Sequence, residues 1–79
     1  MRTADDARRD PRPGDAWRKN SLDMTLTVID ILWDVARKQN LIQYVRVLAG
    51  MESKGIADMV TWQCMIRGAK PVHIAQEGD

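Results

Sequence analysis

The densest hydrophobic pattern in the chain runs from Met24 to Ala49, MTLTVIDILWDVARKQNLIQYVRVLA. Two apolar runs, Met24–Val35 and Leu41–Leu48, flank a polar break at Arg37-Lys38-Gln39-Asn40. The first run alternates in two phases. Met24, Leu26 and Val28 share one; Ile29, Ile31, Trp33 and Val35 share the other, with Asp30 and Asp34 opposite. A long strand with a β-bulge at the Val28/Ile29 step fits this slip, because one inserted residue reverses the facing of everything after it. A helix fits too: Asp23, Thr27, Asp30, Asp34 and Lys38 make one polar stripe, with Met24, Val28, Ile31 and Val35 roughly opposite. Periodicity slightly favours the helix. Residue type favours strands, since Thr25, Thr27, Val28, Ile29, Ile31, Trp33, Val35, Ile42, Tyr44, Val45 and Val47 are β-branched or aromatic. The polar break suits a hairpin loop, with Asn40 able to take a positive φ, and it equally suits a helix–helix turn.

The flanking segments are shorter. Residues 1–9 are charged and without apolar period, the pattern of a poorly ordered arm. Asp10-Pro11-Arg12-Pro13-Gly14-Asp15 stops any helix and makes a turn. Ala16-Trp17-Arg18-Lys19 follows as a short strand, with Trp17 in the core or at a barrel rim, and Asn20–Asp23 is a loop. Gly50–Gly55 reads as a second loop and Ile56-Ala57 as a brief strand. Asp58 is a good N-cap for a helix over Met59–Arg67, whose apolar face is Met59, Trp62 and Ile66; Gly68 suits the position after its end. Ala69–Ala75 forms a last strand, confined by Pro71 to a sheet edge or to that strand's start. This gives one globular unit over 10–75 and a tail over 76–79.

Composition narrows the functional classes more than it selects one. Twelve basic and eleven acidic residues leave a net charge of +1, so no global field drives the chain toward nucleic acid or acidic membranes. Cys64 is the only cysteine, which excludes an intramolecular disulfide and fits a reducing cytoplasm; among Trp62, Met65 and Ile66 it is expected to be a buried small hydrophobe. No apolar run approaches the ~20 residues of a membrane helix. The start, MRTADDARRD, lacks the apolar centre of a signal peptide.

Two motifs taken together carry a resemblance. The opening Asp10-Pro11-Arg12-Pro13-Gly14-Asp15, and the closing Asp58-Met59-Val60-Thr61-Trp62-Gln63 running into Arg67-Gly68-Ala69-Lys70-Pro71-Val72, resemble a group of small uncharacterised phage and prophage proteins. The matching stretches cover under half the chain, and the apolar middle departs from that group's more polar, glycine-rich pattern. The resemblance implies a mostly β fold, a small SH3-like barrel with one short C-terminal helix. It implies a phage or prophage origin and no particular activity. The alternative is an all-α three-helix bundle over 22–39, 41–49 and 59–67.

Catalytic chemistry has little to build on. His73, the single histidine, sits between Val72 and Ile74 with no evident orienting acid, and one Cys with one His, nine residues apart, argues against a structural zinc site. Asp30 and Asp34 read as a solvated face. No phosphate-binding loop or nucleophile motif occurs. The expectation is therefore a non-enzymatic protein without a cofactor, binding a host or phage protein. The candidate surface comprises Trp17, Arg18, Lys19, Arg37, Lys38, Tyr44 and Arg46. If these converged, a basic face with aromatics would also allow nucleic-acid binding; the helical alternative would make the chain a helix-turn-helix regulator. The edge strand after Pro71 offers self-pairing or strand addition, and Leu32, Trp33 and Leu48 a dimer seam if they lie outside the core.

Overall fold

The central runs are strands. The computed structural model describes residues 1–76, in the order α1 (Ala4–Arg9), β1 (Ala16–Lys19), a 3-10 turn at Asn20–Leu22, β2 (Met24–Asp34), β3 (Gln39–Leu48), β4 (Met51–Asp58), α2 (Met59–Met65) and β5 (Lys70–His73). Strands β1 to β4 form an antiparallel meander. The chain then passes through α2 and returns as β5 beside β1, so the sheet order is β4-β3-β2-β1-β5. That order, with a short helix ahead of the last strand, is the small SH3-like barrel, here open between β4 and β5. The three-helix alternative is set aside: only its last segment contains a helix.

The phase slip in β2 is a bulge. Val28 pairs with Tyr44 and Asp30 with Gln43, leaving Ile29 as the inserted residue. Met24, Leu26 and Val28 therefore point inward before the bulge, and Ile31 and Trp33 share that face after it. The inner face carries Trp17, Leu26, Val28 and Ile42, all at 0–1% exposure. α2 closes it with Trp62 and Ile66, and Ala7 of α1 adds a contact from the N-terminal side. The Trp17 and Trp62 indole N–H groups are both buried without an acceptor among the described residues. Each such donor costs ~1–3 kcal/mol, which the apolar burial around it must offset.

Three expectations are corrected. Ala4–Arg9 is a helix, not a poorly ordered arm. Thr3 and Asp6 form a capping box, acidic Asp5 and Asp6 occupy the first turn and Arg8 and Arg9 the last, as the helix dipole favours. Pro11 then ends the helix by restricting Asp10. The stretch 51–55 is strand rather than loop: Ala49 and Gly50, at φ 51° and 81°, make a two-residue turn, and β4 pairs with β3 from Met51 to Asp58. In the β2–β3 connection the positive φ belongs to Lys38, at 53°, not to Asn40.

The C-terminal expectations hold more closely. Asp58 caps α2 by accepting from the Thr61 N–H at 2.7 Å, and Gly68 takes φ 77° beyond its end. β5 is an edge strand carrying Pro71. Of the tail, Gln76 is tied to Arg2 through its side-chain amide; the rest, 77–79, lies outside the described residues. No described helix is long and apolar enough to cross a membrane.

Candidate functional site

The residues of the anticipated basic surface do not converge. Trp17 is fully buried, with the Arg8 guanidinium 4.8 Å above its ring. Arg18 lies on the outer face, held by Asp23 at 2.8 Å and by Asn20 and Thr25. Tyr44 and Arg46 share the inner face. Tyr44 is half-buried against Trp62, with ring centroids 5.6 Å apart, and Arg46 is exposed. Lys19 pairs with Met24 at the opposite end of β2 from the hairpin tip. Arg37 and Lys38 form that tip, where Arg37 approaches Asp34 at 3.9 Å. Eight residue steps, the last seven along β3, separate Lys38 from Arg46, a span of roughly 26 Å at strand rise.

Cys64 is exposed, contrary to expectation. Trp62 and Ile66 hold the buried face of α2 at i and i+4; a residue midway between them is turned about 200° from Trp62 and must face solvent. His73 is exposed on β5. Among the described residues no three His, Cys, Asp or Glu side chains gather as metal ligands would.

Two other groupings emerge. The first is apolar and sits at the tip of the β2–β3 hairpin. Trp33 is 60% exposed and Val35 75%, whereas the other two tryptophans are at 0%. Asn40, the cross-strand partner of Trp33, lines a shallow hollow with Pro11, Ile31, Ile42 and Met59 on the same side of the hairpin. An exposed indole is thus carried on paired strands beside a partly apolar depression. The second is basic. Arg8, Arg9 and Arg67 border a cleft of about 290 Å³ between α1 and the end of α2, with Gln63 and Ile66. Gln63 bridges the helices by donating to the Arg8 carbonyl at 3.1 Å. Arg8 and Arg9 are each paired within α1, to Asp5 at 3.3 Å and Asp6 at 3.1 Å.

Trp33 was legible as a large apolar residue, but its exposure was not: its phase along β2 is that of half-buried Ile31. Arg8 and Arg67 are far apart in sequence, and only the packing of α1 beside α2 brings them together. No family model matches the chain, and no curated protein or solved structure gives a significant match.

Proposed function

We propose that the protein is a non-enzymatic binding module, a phage or prophage accessory protein that docks on a host or phage protein through the β2–β3 hairpin tip. The observation that carries this is Trp33. A 79-residue chain that buries Trp17 and Trp62 completely leaves its third tryptophan 60% exposed, next to exposed Val35. Tryptophan is among the residues most enriched where a few side chains dominate binding energy, and few rotatable bonds limit the ordering cost on a rigid hairpin. The phage origin rests on the opening and closing motifs. The test is capture of partners from bacterial lysate by the immobilised protein, read against Trp33→Ala. A specific partner retained by the native chain should bind Trp33→Ala at least tenfold more weakly, while the variant keeps its unfolding midpoint because the indole is outside the core. Equal retention by both would remove the hairpin tip as the docking surface.

A second reading, nucleic-acid binding, is favoured by the cleft bordered by Arg8, Arg9 and Arg67. Phosphate contacts release counterions, so affinity for DNA or RNA would fall steeply with salt. The internal pairing of Arg8 and Arg9 with Asp5 and Asp6 weakens it. Titration at low salt with single- and double-stranded DNA and RNA decides; no binding there eliminates this reading.

A further inference from the structure

The two edges of the sheet differ. β5 carries Pro71 and spans four residues, both features that blunt an edge. β4 spans Met51–Asp58, contains no proline, and is exposed from Met51 to Lys54. No described strand pairs with its outer side.

Backbone parity fixes what that outer side offers. The two-residue turn at Ala49-Gly50 is flanked by the pair Leu48 and Met51. In a two-residue hairpin the flanking pair exchanges both hydrogen bonds, and hydrogen-bonded pairs then recur at every second residue. Met51, Ser53, Gly55 and Ala57 therefore use their backbone groups on β3. Glu52, Lys54 and Ile56 turn theirs outward to the open edge.

We propose that β4 pairs antiparallel with β4 of a second copy of this chain, about a two-fold axis at Ser53. In this register Glu52 of each copy faces Lys54 of the other. Both are outward-turning residues, so each pair forms two backbone hydrogen bonds and one cross-strand pair of opposite charges. On the inner face, Met51, 76% exposed, lies opposite position 55 of the second copy, a glycine over which that copy's own Tyr44 ring lies. Shifting the register by one pairing step in either direction sets Lys54 against Lys54 or Glu52 against Glu52. A register nearer α2 would oppose Lys54 to Asp58, whose carboxylate is engaged in capping the Thr61 N–H at 2.7 Å. The overlap from Met51 to Gly55 is short, so the dimer is weak and concentration-dependent, below the area of a standard interface. The edge lies apart from Trp33, and the proposal does not depend on docking at the hairpin tip.

Sedimentation equilibrium of the full chain, from micromolar into the millimolar range, tests this with two charge reversals, Glu52→Lys and Lys54→Glu. The native chain should dimerise as concentration rises. Each reversal places like charges opposite at both positions and should raise the dissociation constant at least tenfold. An equimolar mixture of the two variants should form a heterodimer near native affinity. One variant then carries two positive side chains at positions 52 and 54 and the other two negative ones, so opposite charges face each other in both pairs. Misfolding of a variant cannot produce that rescue, and circular dichroism checks each fold separately. A native chain that stays monomeric throughout overturns the proposal. So does a dimer indifferent to both reversals, a mixture that shows no rescue, or self-association lost only in Trp33→Ala, which would place it at the hairpin tip.

Discussion

Gly55 shows how one residue's role depends on its cross-strand neighbour. It pairs with Tyr44, and the Tyr44 ring lies over it on the way to Trp62. A Cβ at position 55 would stand 2.5 Å from the Tyr44 Oη and 2.6 Å from its Cζ. Gly55→Ala must therefore push the ring off Trp62, at a cost of ~1–3 kcal/mol typical of overpacking. Urea unfolding of Gly55→Ala, Tyr44→Ala and the double variant should show strong coupling, with the double costing less than the sum. Additive effects would mean that the ring relaxes freely. In the sequence Gly55 looks like the second bracket of a loop, since a glycine beneath an aromatic ring and a glycine in a turn carry the same local signal. Cys64 is the converse case. Its apolar neighbours implied burial, but helix phase alone, measured from Trp62 to Ile66, turns it outward.

The hairpins tie element geometry to single dihedrals. The β3–β4 turn needs positive φ at both central residues, and Ala49 takes the first of them at φ 51°. An L-residue with a Cβ loses ~1–2 kcal/mol in that region, which asparagine tolerates better. Ala49→Asn, giving Asn-Gly, should stabilise the protein by roughly 1 kcal/mol and raise Tm by about 4–8 °C for a domain of this size. Thermal unfolding followed by circular dichroism checks it; an unchanged or lowered Tm would show that the turn does not limit stability. α2 was the most legible element, with its Asp58 cap and its Trp62–Ile66 face; β2 read equally as a helix, and its slip between two alternating phases marks the bulge at Ile29 only on the strand reading. Only the end of β4, Ile56-Ala57, read as strand; residues 51–55 were hidden by the glycine and the run of small and charged residues. α1 had a readable cap in Thr3-Ala4-Asp5-Asp6, but only a weak apolar stripe, Ala4 and Ala7, to mark it as packed.

The molecule is closed on itself by one buried ion pair. Arg2 reaches Asp15 with two guanidinium bonds, at 2.8 and 2.9 Å, and donates to the carbonyls of Ala75 and Asp10. Asp15, fully buried, also accepts from the backbone N–H of Arg12 at 3.0 Å and of Ala75 at 2.9 Å. The start of the chain, the turn before β1 and the segment after β5 are thereby joined. Burial alone would raise the Asp15 carboxyl; the Arg2 guanidinium and the two backbone donors outweigh it and hold the group below its ordinary value of 3.8. Its contribution to stability is thus fully present above pH 3.8 and is lost as the pH falls below that toward the folded-state value. Arg2→Ala strands a buried carboxylate and should cost about 3–5 kcal/mol at neutral pH. It should also flatten the acid limb of the stability–pH curve measured by urea unfolding. An unchanged acid limb would show that other carboxylates govern acid unfolding.

Strand alternation, the β2 bulge, the Asp58 cap and the Pro71 edge were all readable because each is a property of a few consecutive residues: side-chain phase, a capping oxygen, a missing N–H. Exposure of Trp33, burial of Trp17 beneath Arg8, the Arg2–Asp15 pair and the dispersal of Arg18, Lys38 and Arg46 were not. These depend on which strand lies beside which, and on where the sheet runs out of partners to cover it. Periodicity assigns a residue to a face. Only the register and the packing of α1 and α2 decide whether that face meets another element or water.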